Sequence, residues 1–538
     1  MYECPSCGAN IKYDIASGQM LCAHCSTRLD PYACEKERDA YTEKYFDTVI
    51  HTCPQCAGQL ICEDTEAAVF CPYCGGSTII SDRINQVKRP TGIVPFAKTK
   101  EECKEAYKKR MKRAIYAPGE LKKADYIDGF RGIYMPYWDY QIEQKGEFYI
   151  PSNISYQSGN YYIKEHYDLT GTLDAEFEGI HFDASSAFED DLGERIAPFY
   201  IKEAKKFTPS FLSGYYADIP DVPEEVYEKA AKEVAQTITA ERIRNERVYD
   251  KFKMDEIENS DSCLELMQCK NVNSLMLPVW FMSHKYGDRM TYAVVNGQTG
   301  KVAIDIPVDF KKFWIGTLLI SLPIFLFLNL FFTFKPELML GIILIIAMFG
   351  LKLYESEIRE VALKESKVTD AGYCAANLSA KQRNGLAQKK NSSKKKKIKM
   401  ELNFVNVVFL ILGILLFFAI VASVINSSNF MGNLVLILRI GSWTLLIWAF
   451  FIIRSIGRIQ TTILELKKKR NYWVLFVTML IVCIVLLLKP VFDSVYYGAA
   501  IICTGTMCYA LMDLIHYYNI LATRRPPQFN RQGGDDDA

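Results

Sequence analysis

The chain contains 538 residues, of which 50% are hydrophobic, and its formal net charge is +1. That length and composition argue against one compact domain, and a charge so close to zero favours no class of partner by itself. The hydrophobic residues are unevenly spread, because they gather into long runs from Phe313 onward. The sequence therefore predicts a multi-domain protein with a soluble N-terminal part and a membrane-embedded C-terminal part.

The N-terminal part opens with a cysteine motif that occurs twice. Each copy has two C-x-x-C pairs separated by 14 residues, and a constant shift of 49 positions relates the copies. Two such pairs supply four thiolates, the usual ligand set of a closed structural zinc site. We therefore predict two Cys4 zinc ribbons, at residues 1–33 and 51–82, that hold two structural Zn²⁺ ions. The predicted ligands are Cys4, Cys7, Cys22, Cys25, Cys53, Cys56, Cys71 and Cys74.

Disulfides in a secreted domain are the alternative interpretation of these cysteines. The sequence opens MYECPSC, with no cleavable signal peptide before it. We therefore expect the N-terminal part to stay in the reducing cytosol, where thiols remain free for metal. Each repeat is also too short for a hydrophobic core, so the ion is expected to supply most of its folding free energy.

Residues 83–310 have the pattern of an α+β cytoplasmic domain. Thr99 and Glu102 form a capping box that predicts a basic helix. A second helix is predicted from Asp221 as the N-cap, with Pro223 in the first turn and Glu224 at N3. Aromatic and β-branched segments bounded by Gly, Pro and Asn follow each helix and predict strands.

This region also contains two similar Pro-x-Trp segments, which suggest an internal duplication. They are Pro136–Trp138 and Pro278–Trp280, each preceded by a predicted helix. One interpretation is a pair of aromatic pockets for a ligand. The other is a pair of buried tryptophan anchors in the core, and we favour it because large aromatic side chains dominate protein cores.

Six apolar runs follow, each near the length of about 20 residues at which a helix spans a bilayer. They predict an all-α membrane domain of three transmembrane hairpins, at residues 313–354, 404–453 and 472–516. The six spans are residues 313–334, 337–354, 404–426, 434–453, 472–488 and 495–516.

The charges between these runs predict their orientation. Residues 355–403 carry twelve Lys or Arg and residues 454–471 carry six, whereas the alternate connections carry almost none. Positive charge stays on the cytoplasmic side of a membrane. We therefore predict a multi-pass protein of the cell membrane whose N-terminus and C-terminal tail, residues 517–538, are cytoplasmic.

No catalytic motif is recognisable in the sequence, which predicts a protein that is not an enzyme. It lacks a phosphate-binding P-loop, an H-E-x-x-H helix, a G-x-S-x-G elbow and a dinucleotide fingerprint placed after a strand. The acidic stretch Phe188–Glu194 could hold a cation, but a solvated acidic loop is the simpler interpretation.

Charge also decides which partners the acidic ribbons and the basic loop favour. Residues 1–82 contain five Lys or Arg against twelve Asp or Glu, so nucleic acid is not expected to bind there. An acidic ribbon pair suits docking of a protein instead. The basic tract Lys389–Lys399 is tethered at a membrane end, where we expect it to contact anionic lipid headgroups.

The paired C-P-x-C ribbons, the VPFAKTKEE helix, the GIYMPYW strand and the C-terminal membrane hairpins together resemble the TFIIB-type zinc-ribbon membrane proteins of Firmicutes. Such proteins are often mislabelled as helicase-like because of their ribbons. Some are linked to phage-shock-type envelope-stress systems. The resemblance implies a membrane anchor that recruits soluble stress factors. Helicase activity is not implied, since the chain has no nucleotide-binding loop.

These observations predict a membrane scaffold or sensor whose zinc ribbons dock soluble proteins at the cytoplasmic membrane. A transporter or channel with a zinc-ribbon regulatory domain is the alternative. A membrane-tethered regulator that binds nucleic acid is a second alternative, which the acidic ribbons oppose.

Overall fold

The structure, a computed structural model, describes residues 2–35, 44–62, 71–76, 82–246, 266–331, 335–365, 370–372, 430–462 and 471–525. The residues before Phe310 form what we call the head, and the later helices form the membrane part. The predicted lipid-binding tract Lys389–Lys399 and the predicted span at 404–426 lie outside the described residues.

The first ribbon has a three-stranded antiparallel sheet of its own. The sheet consists of β1 (Ile11–Asp14), β2 (Gln19–Cys22) and β3 (Arg28–Leu29), with β2 in the middle. This small sheet packs on the head through buried side chains, with the Tyr13 ring 5.1 Å from that of Phe211. The Ser213 hydroxyl donates to the Ile11 carbonyl over 2.7 Å, and this hydrogen bond attaches strand β1 of the ribbon to the head.

Eleven of the described strands form one sheet that includes the second ribbon. They are β4 (Tyr45–Thr52), β5 (Gln59–Cys62), β6 (Asp82–Lys88), β7 (Gly92–Ile93), β8 (Arg131–Ser158), β9 (Tyr161–Asp183), β10 (Lys205–Lys206), β11 (Tyr216–Asp218), β12 (Met267–Tyr286), β13 (Arg289–Asn296) and β14 (Val302–Ile304). The main path runs β10-β7-β12-β8-β11-β5-β4-β6. Because β5 pairs with β11, the second ribbon and the α+β region share one sheet.

Strands β8 and β12 lie at the centre, and they bring the two Pro-x-Trp segments together. Met135 and Leu277, the residues directly before the two segments, are direct antiparallel partners. The pairing therefore has a local two-fold symmetry, which fits the suggested duplication. Both tryptophans are buried and donate to carbonyls, Trp138 to Val222 at 2.8 Å and Trp280 to Lys98 at 2.9 Å. They are core anchors, as the simpler interpretation predicted.

Four α-helices among the described residues of the head cover this sheet: α1 (Lys100–Lys112), α2 (Ala124–Ile127), α3 (Asp190–Ile196) and α4 (Glu228–Asn245). The capping box of α1 is confirmed, because Thr99 and Glu102 exchange side-chain to backbone hydrogen bonds. The predicted cap of α4 is wrong. Asp221 instead accepts the Ser186 amide at 2.7 Å, and α4 begins after a single 3₁₀ turn. A tertiary contact thus replaces the local one.

Five described helices make up the membrane part: α5 (Phe310–Phe331), α6 (Pro336–Glu365), α7 (Phe430–Thr462), α8 (Asn471–Leu488) and α9 (Asp493–Leu521). Three helical segments are long and apolar enough to cross a membrane, namely Phe310–Phe327, Pro336–Glu365 and Asp493–Leu521. The apolar stretch of α8, Tyr472–Leu488, is shorter. The described residues therefore indicate a membrane protein but do not support the predicted count of six spans.

Helices α6, α7, α8 and α9 share one apolar core, to which α5 contributes none of the residues whose burial is described. The rings of Tyr354 on α6 and Tyr517 on α9 meet edge to face at 5.6 Å. The Thr478 and Thr506 hydroxyls bond across α8 and α9 at 2.9 Å. Such interhelical hydrogen bonds satisfy polar groups to which lipid chains offer no hydrogen-bond partner.

Candidate metal centres

The first ribbon brings its four cysteine thiols together at the end of its small sheet. The Sγ atoms of Cys4 and Cys25 are 3.5 Å apart, and so are those of Cys7 and Cys22. The four sulfurs lie within 4.8 Å of one another. A tetrahedral ion with metal–sulfur bonds of about 2.3 Å would set its sulfurs about 3.8 Å apart. The cluster is therefore close to the size that zinc requires.

The second ribbon repeats this arrangement with Cys53 and Cys74 at 3.6 Å and Cys56 and Cys71 at 3.7 Å. Its four sulfurs also lie within 4.8 Å of one another. The structure thus contains two Cys4 groups that could each hold one metal ion, formed by the eight cysteines that the spacing singled out.

The backbone of all four cysteine pairs turns in the same way. The residue after the second cysteine has a positive φ in each pair: Gly8 (73°), Ser26 (60°), Ala57 (57°) and Gly75 (70°). Its amide donates to the carbonyl of the first cysteine, over 2.8 Å from Gly8 to Cys4 and 2.7 Å from Ala57 to Cys53. Left-handed backbone favours glycine and disfavours bulky side chains, which explains the small residues at these four positions.

The thiols of each group differ in acidity. A hydrogen bond from the Thr27 hydroxyl lowers the pKa of Cys25 to about 6. Hydrogen bonds from the Cys56 and Cys71 thiols lower the pKa of Cys74 to about 2, while contact with Cys71 and Cys74 raises that of Cys56. Four thiols this close must share protons, and a divalent cation removes the need because it binds all four as thiolates.

The two groups differ most in their surroundings. In the first, Cys7 and Cys25 are exposed; in the second, Cys53, Cys56 and Cys71 are buried and only Cys74 is half-buried. The second group therefore forms part of the core of the large sheet, whereas the first opens to solvent. Sequence spacing alone could not distinguish them, because the spacing is identical.

One residue inside a cysteine pair accounts for this difference, and the sequence analysis missed it. Tyr73, between Cys71 and Cys74, is 2% exposed and packs 6.1 Å from the Phe281 ring. The Tyr292 hydroxyl donates to the Tyr73 carbonyl over 3.0 Å. The equivalent residue of the first ribbon is His24, which is exposed. An aromatic residue instead of a polar one at this position was the available signal.

The remaining cysteines of the ribbons stay outside both groups. Cys62 is buried in the core of the sheet. Cys34 is half-buried, and its thiol donates to the Asp30 carbonyl at 3.7 Å. The acidic stretch Phe188–Glu194, interpreted above as a solvated loop, instead contains α3 and lies beside the membrane helices.

Comparisons with known proteins give one informative likeness. Over 319 residues the chain is 27% identical to the uncharacterized protein YdjG of Bacillus subtilis strain 168. The aligned region covers 58% of this chain and 91% of YdjG. No protein-family model matches the chain, and no solved structure matches it. The likeness links the chain to a Bacillus protein without assigning an activity to either.

Proposed function

We propose that this protein is a non-enzymatic membrane scaffold or sensor that docks soluble proteins at the cytoplasmic face through its first zinc ribbon. The observation that carries the proposal is the contrast between the ribbons. The second is buried in the head as a structural element, and the first presents an exposed end. A ribbon that only stabilised the fold would have no reason to expose half of its ligands.

Rigid attachment of the head to the membrane helices supports a scaffold. Residues just after α9 return to the head, where Arg524 forms an antiparallel bridge with Met290 of β13. Arg289, beside it, donates to the Glu365 carboxylate at the end of α6 over 2.6 Å. Near the start of the membrane part in the chain, Lys312 of α5 donates to the Ala117 carbonyl of the head at 2.7 Å. The exposed ribbon is therefore held in a fixed position relative to the bilayer.

The metal that we propose for both groups is Zn²⁺. Four thiolates in a tetrahedral arrangement favour zinc over Mg²⁺ or Ca²⁺, which prefer oxygen ligands. The thiol ligands also require a reducing compartment, and this supports a cytoplasmic head. Nucleic acid is not part of the proposal, since residues 1–82 carry a net excess of acidic side chains.

Six membrane spans are part of the same proposal, and the directions of the described helices support that number. The Glu355 carboxylate near the head end of α6 accepts a bond from Ser455 of α7, while Cys483 of α8 contacts the Ser442 carbonyl further out. Helix α7 therefore runs toward the head and begins on the far side. Ala371, which donates to Asp190 of the head, lies on the near side. We propose that the apolar run at 404–426 crosses the membrane between the two.

The resemblance to TFIIB-type zinc-ribbon membrane proteins supplies the class of partner. We propose soluble proteins of a phage-shock-type envelope-stress response, held at the membrane by the first ribbon. The likeness to a Bacillus protein is compatible with a Firmicutes family. Anionic lipid at Lys389–Lys399 would add a second contact with the membrane surface.

The test is site-specific photocrosslinking in intact cells. A photoreactive residue in place of exposed His24 should crosslink to a soluble protein, and the same residue in place of exposed Glu233 on α4 should not. Deleting residues 2–33 should release that protein from the membrane fraction. Deleting both ribbons is a poorer test, because it removes strands from the large sheet. No specific crosslink, together with solute flux that depends on the helices, would favour the transporter.

A further inference from the structure

An acidic cavity of about 470 Å³ lies where the head meets the end of α6. Its lining includes one cation, Lys364, and six carboxylates: Glu189, Asp190, Asp191, Glu194, Glu360 and Asp370. Such a concentration of negative charge at a junction between two parts of the chain is costly unless positive charge compensates it.

The cations near the cavity are largely committed to other groups. Arg524 forms ion pairs with Glu189, Asp191 and Asp305. Lys364 donates to the Leu521 carbonyl at the end of α9. Within the described ranges, neither Asp183 nor Asp190 forms an ion pair with a Lys or Arg.

Asp183, the last residue of β9, is buried and interacts with two carboxylates of the cavity wall. It is 4% exposed, and its Oδ2 atom has no hydrogen-bond partner in the described part of the chain. The charges that act on it most strongly are those of Asp190 and Asp370, both on the cavity wall. Burial first, and then these two carboxylates, hold the pKa of Asp183 well above its ordinary value. The buried carboxyl group therefore interacts chiefly with like charge.

Asp190 ties the chain that follows α6 to the head at the same point. Its Oδ2 accepts the Ala371 amide at 2.9 Å, and its Oδ1 accepts the Tyr227 hydroxyl at 2.9 Å. Gly372 fits only because it lacks a Cβ, which would lie 2.8 Å from the Tyr227 hydroxyl oxygen. Three separate elements, β9, α3 and the segment 370–372, thus converge on one acidic point.

We propose that Asp183, Asp190 and Asp370 bind one hydrated divalent cation of the Mg²⁺ class in this cavity. Their oxygens are not all within 4.8 Å of one another, unlike the thiols of either ribbon among the described residues. That spacing suits an ion that keeps several of its waters and takes one or two carboxylates directly, as Mg²⁺ does. The ion would neutralise the buried carboxylates and fasten the segment after α6 to the head. Oxygen ligands distinguish this site from the thiolate sites.

The experiment uses the full chain in detergent micelles with both ribbons loaded with zinc, and Mn²⁺ as a paramagnetic probe for Mg²⁺. We expect saturable binding of one Mn²⁺ per chain that Mg²⁺ displaces. Asp183→Asn should weaken this binding by about tenfold or more. Asp174→Asn is the matched control, because Asp174 is an exposed carboxylate on the same strand that pairs with Lys145, and it should bind Mn²⁺ like the wild type.

Thermal unfolding gives a second readout that separates a cation from a shared proton. With a cation site, Mg²⁺ raises the unfolding temperature of the wild type and leaves that of Asp183→Asn unchanged. If the carboxylates instead share a proton, acidification stabilises the wild type and Mg²⁺ adds nothing, which overturns the proposal. Unsaturable Mn²⁺ binding, or equal binding by Asp183→Asn, also overturns it. Should Asp183→Asn not fold, Asp190→Asn tests the same site.

Discussion

The guanidinium of Arg524 lies 3.0 Å from the Asp305 carboxylate, and the two side chains are only 4% and 6% exposed. Burial lowers the pKa of Arg524 to about 9. This ion pair joins the chain just after α9 to Asp305, which directly follows strand β14 of the head. Because the adjacent Tyr292 contacts both Arg524 and the backbone of the second ribbon, one short path of contacts connects a candidate metal site with the chain just after α9.

Removing this arginine should loosen the junction. Arg524→Leu removes one of the two arginines that pair with the buried Asp305 carboxylate, because Arg195 remains 2.7 Å from it. The cost should therefore stay below the roughly 3–5 kcal/mol that is typical of a buried charge left wholly unpaired. We expect faster hydrogen exchange in β13 and protease cleavage after α9. The control is Arg525→Leu, because Arg525 is 48% exposed and its partner Glu365 keeps a second ion pair with Arg289; we expect a loss of about 1 kcal/mol or less. Equal effects of the two substitutions would contradict the role given to Arg524.

Tyr73 and His24, which occupy equivalent positions in the two ribbons, offer a matched pair of substitutions. Tyr73→Ala removes a ring that is 2% exposed and should lower the free energy of unfolding of the head by about 3–5 kcal/mol. His24→Ala removes an exposed side chain and should change it by about 0.5 kcal/mol or less. Denaturant unfolding of the two variants measures the difference. Similar losses would mean that both ribbons are structural.

The sequence predicted the local features of this fold better than the long-range ones. The capping box at Thr99 depends on residues three positions apart, so it could be read directly. The two Cys4 groups followed from spacing and repetition. Asp221, in contrast, bonds to Ser186 of a distant segment, and no local pattern reports such a contact. The pairing of β5 with β11 joins segments that are far apart in the chain, so the shared sheet could not be anticipated.

The candidate sites follow the same division. Cys4 and Cys53 looked alike because local spacing sets the ligands, whereas burial of the second group depends on Tyr73 meeting Phe281 and Tyr292 across the sheet. The acidic stretch Phe188–Glu194 looked solvated because its partners, Arg524 and Asp370, lie far along the chain. Burial and charge pairing between distant segments are what a single sequence conceals.

Loss of metal should affect the two ribbons differently. Cys25→Ser should reduce the zinc content from two ions to one per chain and leave the large sheet intact, because the first ribbon has its own sheet. Cys71→Ser should also remove one ion but destabilise the large sheet, since Cys71 is buried in its core. Elemental analysis and hydrogen exchange at β11 provide the two readouts. One zinc or none in the wild-type chain would refute the assignment of two zinc sites.

Asp218 should make the stability of the head depend on pH. It is 4% exposed, and burial raises its pKa to about 7 although the Ser185 hydroxyl donates to it. Between its unfolded pKa near 4 and pH 7, the folded state binds a proton that the unfolded state lacks. Its contribution to stability is therefore present at low pH and lost as the pH rises through about 7.

The corresponding measurement is unfolding of the wild type and Asp218→Asn across this range. The wild-type free energy of unfolding should contain a term that falls by at most about 1.4 kcal/mol per pH unit, and Asp218→Asn should lack that term. Asp47→Asn, which changes an exposed carboxylate of β4, should keep it. A pH dependence that survives in Asp218→Asn would assign the titration to another group.

The number of membrane crossings is the last prediction, and it follows from where the helices meet the head. Lys312 near the start of α5 and Arg524 after α9 both contact the head, so we expect the membrane part to begin and end on the same side, with an even number of spans. Three of the described segments meet the length and hydropathy expected of a span, and we expect further spans among the other apolar runs of the sequence. Reporter fusions at Gly385 and after Ala538 should therefore both report cytoplasm, and a fusion at Asn429 should report the exterior. A cytoplasmic signal at Asn429 would remove the crossing at 404–426 and reverse the direction inferred for α7.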